Sequence, residues 1–286
     1  MSNDEPIIFK CPKPLLDRVV ELEGNPIGIA LCANFENSQW RHKALVEHLF
    51  DWLPETALRP EERLALRDEP NKLLARAAMR VFKQKDPSKR GELGEVLLHA
   101  ACRQEFGTLP VIPRLFYKMR SNDQVTGVDV VHLTYDQETD KLDLWLGEAK
   151  LYDDLSQAKY SALNSVKALW DAVNLSEMKA LVGPKIEPTA PYAEKLNWLF
   201  EEETSLDEIV DRIVIPICLA VDFDLTKQAN KRTKQYLSAV RRTLNEIRKY
   251  YKARIPKDVR FVCVFVPLDN KKSLEKRMVK KLESYQ

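Results

Sequence analysis

The sequence predicts an α/β protein, a mixed sheet layered between helices. Two strongly apolar runs, Ile213–Phe223 and Val259–Val266, have the length and composition of buried strands, and a long helical stretch, Lys227–Tyr251, separates them. Two earlier runs, Gly127–Leu133 and Leu142–Lys150, alternate in polarity as strands do, and a polar turn joins them. Five of the eight glycines fall between Gly91 and Gly147, and glycine marks places where backbones approach closely.

In chain order, residues 1–85 read as an N-terminal accessory or partner-docking region. Ile27–Ala33 is a short strand, and Gln39–Leu53 and Pro70–Phe82 are helices, with Pro54 and Pro60 breaking the chain between them. Residues 86–286 read as the main domain. Asp86-Pro87-Ser88 carries an N-cap and a proline at the first helical position, so a helix runs from there to Phe106 and stops at Gly107. Val111–Met119 reads as a strand, followed by the two alternating strands and their turn, Tyr135–Asp140. Asp153-Asp154 starts a helix with apolar residues at helical spacing as far as Val173, and Pro184–Pro191 breaks the chain. The two apolar strands with the intervening helix follow, and a last helix spans Lys271–Tyr285. The core order is αβββαβ, continued by helix, strand and helix.

Composition narrows the function classes. No apolar stretch is long enough for a membrane span, and the N-terminal residues lack the basic start and apolar run of a signal peptide. The five cysteines are scattered without a Cys-x-x-Cys pair, and the four histidines lack ligand spacing. That argues against a disulfide framework and against zinc, and fits a reducing cytoplasm. The net charge is only +2, but basic residues dominate from Lys227 to Lys281, Arg241, Arg242, Lys276 and Lys280 among them. Such a segment suits a polyanion, or is simply a pair of solvated helix faces.

The chemistry lies in three charges on strand faces that should be apolar. Glu148 and Lys150 follow Leu142, Leu144 and Leu146 on one face, and Asp129 shares a face with Val131 and Leu133. A charge in apolar surroundings is costly unless it is paired or holds a metal. A turn centred near Gln137 and Glu138 brings Asp129 opposite Glu148 or within a residue or two. Two carboxylates that close suit Mg²⁺ or Mn²⁺, and Lys150 stands one pair further along. Glu95 offers a third carboxylate from the preceding helix, with Glu92 as its rival, and Gly91 and Gly94 let that helix approach the sheet. The alternatives are a plain Glu148–Lys150 ion pair at an exposed strand end, an Asp129 that caps its strand, and exposed helix glutamates. His99 reads as a helix-face residue, and Gln157 and Tyr160 as a solvated helix start.

The pattern Glu95 … Gly127-x-Asp129 … Glu148-x-Lys150 resembles the PD-(D/E)xK nuclease superfamily, whose restriction-endonuclease-like core is αβββαβ. Gly91-Glu92-Leu93-Gly94-Glu95 resembles the Gly-x-x-x-Glu motif of its RecB-like members. Valine precedes Asp129 where the superfamily often has proline, and Gln157 with Tyr160 falls one position short of the RecB-like Gln-x-x-x-Tyr motif. The stretch from Lys89 to Glu95, Gly127-Val128-Asp129, Leu146–Lys150 and the closing Phe265–Leu268 look like the nuclease subunit of the bacterial Hachiman anti-phage system. That resemblance implies a metal-dependent DNA nuclease restrained by a partner helicase of the superfamily 2 type. It also implies a catalytic set of Asp129, Glu148 and Lys150 with Glu95, with Glu95, Asp129 and Glu148 as metal ligands. The alternatives are a silent nuclease-fold subunit that docks a helicase or a DNA end, and a junction-resolving nuclease.

Overall fold

The computed structural model describes residues 10–82, 91–113, 115, 128–169, 176, 179–180, 182–186, 192–201 and 203–285. Its centre is a seven-stranded mixed sheet. The strands that build it are β1 (Asp17–Leu22), β2 (Ile27–Cys32), β5 (Leu109–Pro110), β6 (Val130–Asp136), β7 (Lys141–Tyr152), β8 (Ile213–Asp222) and β9 (Arg260–Leu268), in the order β1-β2-β9-β8-β7-β6-β5. Strands β2, β9, β8 and β7 run parallel, and β1, β6 and β5 are antiparallel to their neighbours. A separate two-stranded ribbon pairs β3 (Phe35–Glu36) with β4 (Gln39–Trp40).

Helices cover both faces, as the predicted α/β class requires. One face carries α6 (Leu155–Leu169) and α10 (Lys234–Lys252), which pack Ala162, Val166, Val240 and Ile247 against Leu144, Leu146, Ile217 and Cys263. The other carries α1 (His42–Asp51), α2 (Leu53–Ala57), α4 (Pro70–Phe82), α5 (Glu92–Phe106) and α11 (Lys271–Glu283). Short helices α3 (Pro60–Ala65), α7 (Ala193–Phe200), α8 (Leu206–Val210) and α9 (Asp224–Gln228) complete the chain. The core order α5-β5-β6-β7-α6-β8 matches the expected αβββαβ. None of the described helices is long and apolar enough to cross a membrane.

Several local expectations are corrected. Pro54 does not break the chain but sits in the first turn of α2, where its missing N–H costs nothing. The two-residue β5 ends at Pro110, before the strand expected over Val111–Met119, where Val111 and Ile112 lie in a bend and residues 114 and 116–119 are outside the described residues. The helix read from Lys227 begins at Lys234, after α9. Asp86-Pro87-Ser88, Gly127, Trp170 and Val173 lie outside the described residues. Strand β1 was not anticipated. Its sequence, Asp-Arg-Val-Val-Glu-Leu, is that of an edge strand with Val20 alone buried. Because β1 and β2 join the sheet beside β9, the N-terminal region is built into the same layer as the rest.

Gly147 shows how tightly this sheet is covered. A Cβ at that position would collide with Val130 Cγ2 and come within 2.8 Å of Leu98 Cδ2 and 3.0 Å of Pro216 Cγ. We therefore expect Gly147→Ala to cost about 1–3 kcal/mol, read as a lower urea midpoint at unchanged slope. A midpoint equal to the parent's would show that the sheet yields there.

Candidate active site

The β6–β7 hairpin places the three strand charges. Val130 pairs with Gly147 and Asp136 with Lys141, which leaves residues 137–140 as the turn. Asp129 lies in the bend just before β6, so it does not share a strand face with Val131 and Leu133 in the sense expected. Its backbone still continues the ladder, donating to the Gly147 carbonyl at 2.7 Å, and its Oδ2 accepts from the Ala149 N–H at 2.8 Å. Asp129 is thereby held opposite Glu148 at the end of the hairpin.

Glu148 is buried, 7% exposed, at the end of the Leu142–Leu144–Leu146 face, and it pairs with Lys150. The pair is therefore not at an exposed strand end. Burial first, and then the Asp129 charge, pushes the Glu148 carboxyl up to about 7, although Lys150 and a hydrogen bond with Ser165 pull it down. Burial would lower the Lys150 ammonium, but the Glu148 and Asp129 carboxylates outweigh it and raise it. Lys150 thus stays a cation between two acids, with 19% of its side chain exposed.

Glu95 comes to Asp129 but not to Glu148. Helix α5 packs on the opposite sheet face, with Gly94 so near that a Cβ there would lie 3.5 Å from Ala149 Cβ and 3.6 Å from Leu151 Cβ. Side chains alternate along β7, so Glu148 points to the α6 side. Glu95, Asp129, His99 and His132 line one small pocket on the α5 side. Among the described residues no three His, Cys, Asp or Glu side chains converge as a metal cluster. Glu95 therefore shares a pocket with Asp129, and Glu148 is paired with Lys150. Gly94 makes the close approach expected of it, whereas among the described residues a Cβ at Gly91 would meet only Glu95 Oε1, at 3.8 Å. Glu92 enters a different pocket, between α5 and α11. Gln157 is exposed, its N–H held by Asp154, and Tyr160 is 64% exposed.

A buried polar chain lies behind the site. Glu55 on α2 accepts from Arg103 at 2.9 Å, bonds the His99 ring at 2.8 Å and meets Arg63 at 3.4 Å. His99 bonds His132 at 2.9 Å, and His132 bonds Thr108 at 2.8 Å. His99 is therefore a core residue rather than a helix-face one. Burial lowers both histidines below their usual range. Burial alone would raise the Glu55 carboxyl, but His99, Arg103 and Arg63 carry it well below the usual carboxylate range. Nothing singled out Glu55 in the sequence. The one available signal was an acid inside the apolar run from Trp52 to Leu58.

The family model HamA matches residues 10–282, nearly the whole chain. The chain belongs to the HamA family. HamA proteins are components of the Hachiman anti-phage defence system, which includes a helicase partner. No curated protein matches this HamA-family chain. The family match spans the N-terminal strands and the basic C-terminal helices as well as the hairpin, so Asp129, Glu148 and Lys150 lie well inside the matched region.

Proposed function

We propose that this HamA-family protein is the metal-dependent nuclease of its defence system, acting on DNA under the control of the helicase. The observation that carries the reading is the buried Glu148 carboxylate set opposite Asp129 with Lys150 beside it. The Asp129 charge raises the proton affinity of Glu148, and a cation between the two carboxylates would relieve it. Their oxygen chemistry fits Mg²⁺ or Mn²⁺, since Mg²⁺ is commonly held by one or two carboxylates and keeps several waters. Asp129 and Glu148 would hold the ion, and Glu95 would reach it through water from the α5 side. Once bound, such an ion polarises a phosphodiester and activates water.

The protein's own residues supply the rest. The Ala149 N–H fixes one Asp129 oxygen and leaves the other for a ligand. The Lys150 ammonium, kept charged, would offset the negative charge that builds on the phosphate. Helix α10 packs on the same sheet face as Glu148, its Tyr251 hydroxyl donating to the Lys159 carbonyl of α6 at 3.2 Å. Its exposed Lys234, Arg241, Arg242, Lys249 and Lys252 make no ion pair among the described residues and would meet DNA phosphates. By contrast Arg248 is structural, donating to the Pro26 and Glu23 carbonyls at 2.7 Å each, and on α11 Lys281 is paired with Glu47 at 2.6 Å.

The test is plasmid degradation with Mg²⁺ by Asp129→Asn and Lys150→Ala. We expect each to lose on the order of a hundredfold or more in rate. If both cut as the parent does, the assignment is wrong, and the docking-subunit reading takes its place.

A further inference from the structure

Helix α11 carries a second basic face, which the hairpin chemistry does not use. Leu274, Met278 and Leu282 are buried on one side of the helix, and Lys272, Lys276, Arg277 and Lys280 are exposed on the other. The three lysines stand four residues apart, so they form one stripe that rises about 6 Å per step. None of these four cations makes an ion pair among the described residues. The lysines of α11 that do are Lys271, with Glu275 at 3.6 Å, and Lys281, with Glu47 at 2.6 Å. Glu283 is an exposed acid in the last turn.

We infer that this face binds the phosphate backbone of a DNA duplex, as a second site on the side of the molecule away from Glu148. The chemistry selects that occupant. Ammonium groups on flexible stems, repeated along one line, suit successive phosphates of one strand. An acidic protein surface is a poorer match, because protein interfaces are poor in lysine and are anchored by aromatic, methionine and arginine side chains. The exposed large apolar side chains among the described residues are Ile27, Leu64, Met79, Tyr160 and Trp198, and none of them is on α11. The same lack of rings disfavours single strands, whose bases stack on aromatic side chains. Contact through phosphates carries no sequence preference. Helix α11 belongs to the sheet face that carries α1 and α4, and α10 to the face that carries α6. A straight duplex lying along one is therefore on the wrong side for the other. With α10 holding the duplex to be cut, a step that rests on the nuclease reading, the protein bridges two DNA segments.

The experiment uses the full chain in EDTA and reads binding, so it fails separately from the nuclease reading. Binding of a short labelled duplex is followed by fluorescence anisotropy over a range of salt. To isolate α11, the comparison is made in protein carrying Arg241→Gln and Arg242→Gln on α10. Adding Lys272→Gln, Lys276→Gln and Lys280→Gln should weaken binding on the order of a hundredfold at low salt and make the slope of log affinity against log salt shallower by roughly 3. These exposed changes should leave the melting temperature where it was, and arginine at the same three positions should keep the affinity. With α10 intact, the protein should hold a fluorescent duplex on beads that carry another, and the three-lysine variant should not. Loss of affinity in the first measurement without bridging by the parent in the second would confirm the α11 site and place the failure in the α10 reading. Equal affinity and slope with and without the three lysines would overturn the inference. So would a three-lysine variant that keeps its DNA affinity but no longer binds the helicase, since the face would then belong to an acidic protein surface.

Discussion

Glu148→Gln is expected to abolish cleavage and to stabilise the metal-free protein at the same time. Glutamine keeps the shape but cannot share a cation with Asp129, so the rate should fall by roughly a thousandfold. The stability effect follows from linkage. The folded Glu148 carboxyl sits at about 7, above its ordinary value of 4.5, so the native state binds the proton more tightly than the unfolded chain does. Below pH 4.5 both states are protonated and nothing is lost. As pH rises from 4.5 to about 7 the unfolded chain ionises first and stability falls, and above that the penalty is constant. Removing the charge should therefore raise the melting temperature at pH 8 by a few degrees, on the order of 2 kcal/mol. The gain should vanish near pH 4. Mg²⁺ should stabilise the parent but not the variant. A variant less stable than the parent at pH 8 without metal would show that Glu148 is a structural ion-pair partner of Lys150 and not a carboxylate held for a ligand.

Glu55→Ala is expected to be the most damaging single change away from the hairpin. Glu55 faces Arg63, Arg103 and His99 inside the α2–α5 interface. Its removal takes a counter-charge from two buried guanidinium groups, and breaking a buried pair in this way costs about 3–5 kcal/mol. Urea denaturation should show the loss, and Glu55→Gln, which keeps an acceptor for Arg103, should lose less. The sign with pH is opposite to that of Glu148. Because the folded Glu55 carboxyl is held below its unfolded value, its contribution is present above about pH 4.5 and is lost as the solution becomes more acid. Alanine and glutamine variants equal to the parent would mean that the network is neutral in balance, the arginines finding water when Glu55 is gone.

Much of this fold was legible locally. Alternation placed Glu148 and Lys150 on the face of Leu142, Leu144 and Leu146, and the polar turn set a register that brings Asp129 across from Glu148. The apolar runs at Ile213 and Val259 announced buried strands, and the glycine at 107 marked the end of α5, which it does in the left-handed conformation. These features depend on neighbours a few residues away, whose periodicity is written in the chain. The edge strand β1 was not legible, because an edge strand with a single buried valine carries almost no period-2 signal.

Other choices belonged to the tertiary structure alone. Glu92 and Glu95 are three residues apart on one helix and look alike in sequence, yet one enters an apolar pocket against α11 and the other lines a pocket with Asp129. Which sheet face α5 covers decides this, and the same packing keeps Glu95 on the far side of the sheet from Glu148. Likewise an acid at position 55 becomes the hub of a buried network only because α2 packs on α5 some 40 residues later. Sequence periodicity reports which face of an element is buried, but not which element buries it. That is settled by long-range packing, where the cost of an unpaired charge selects its partner.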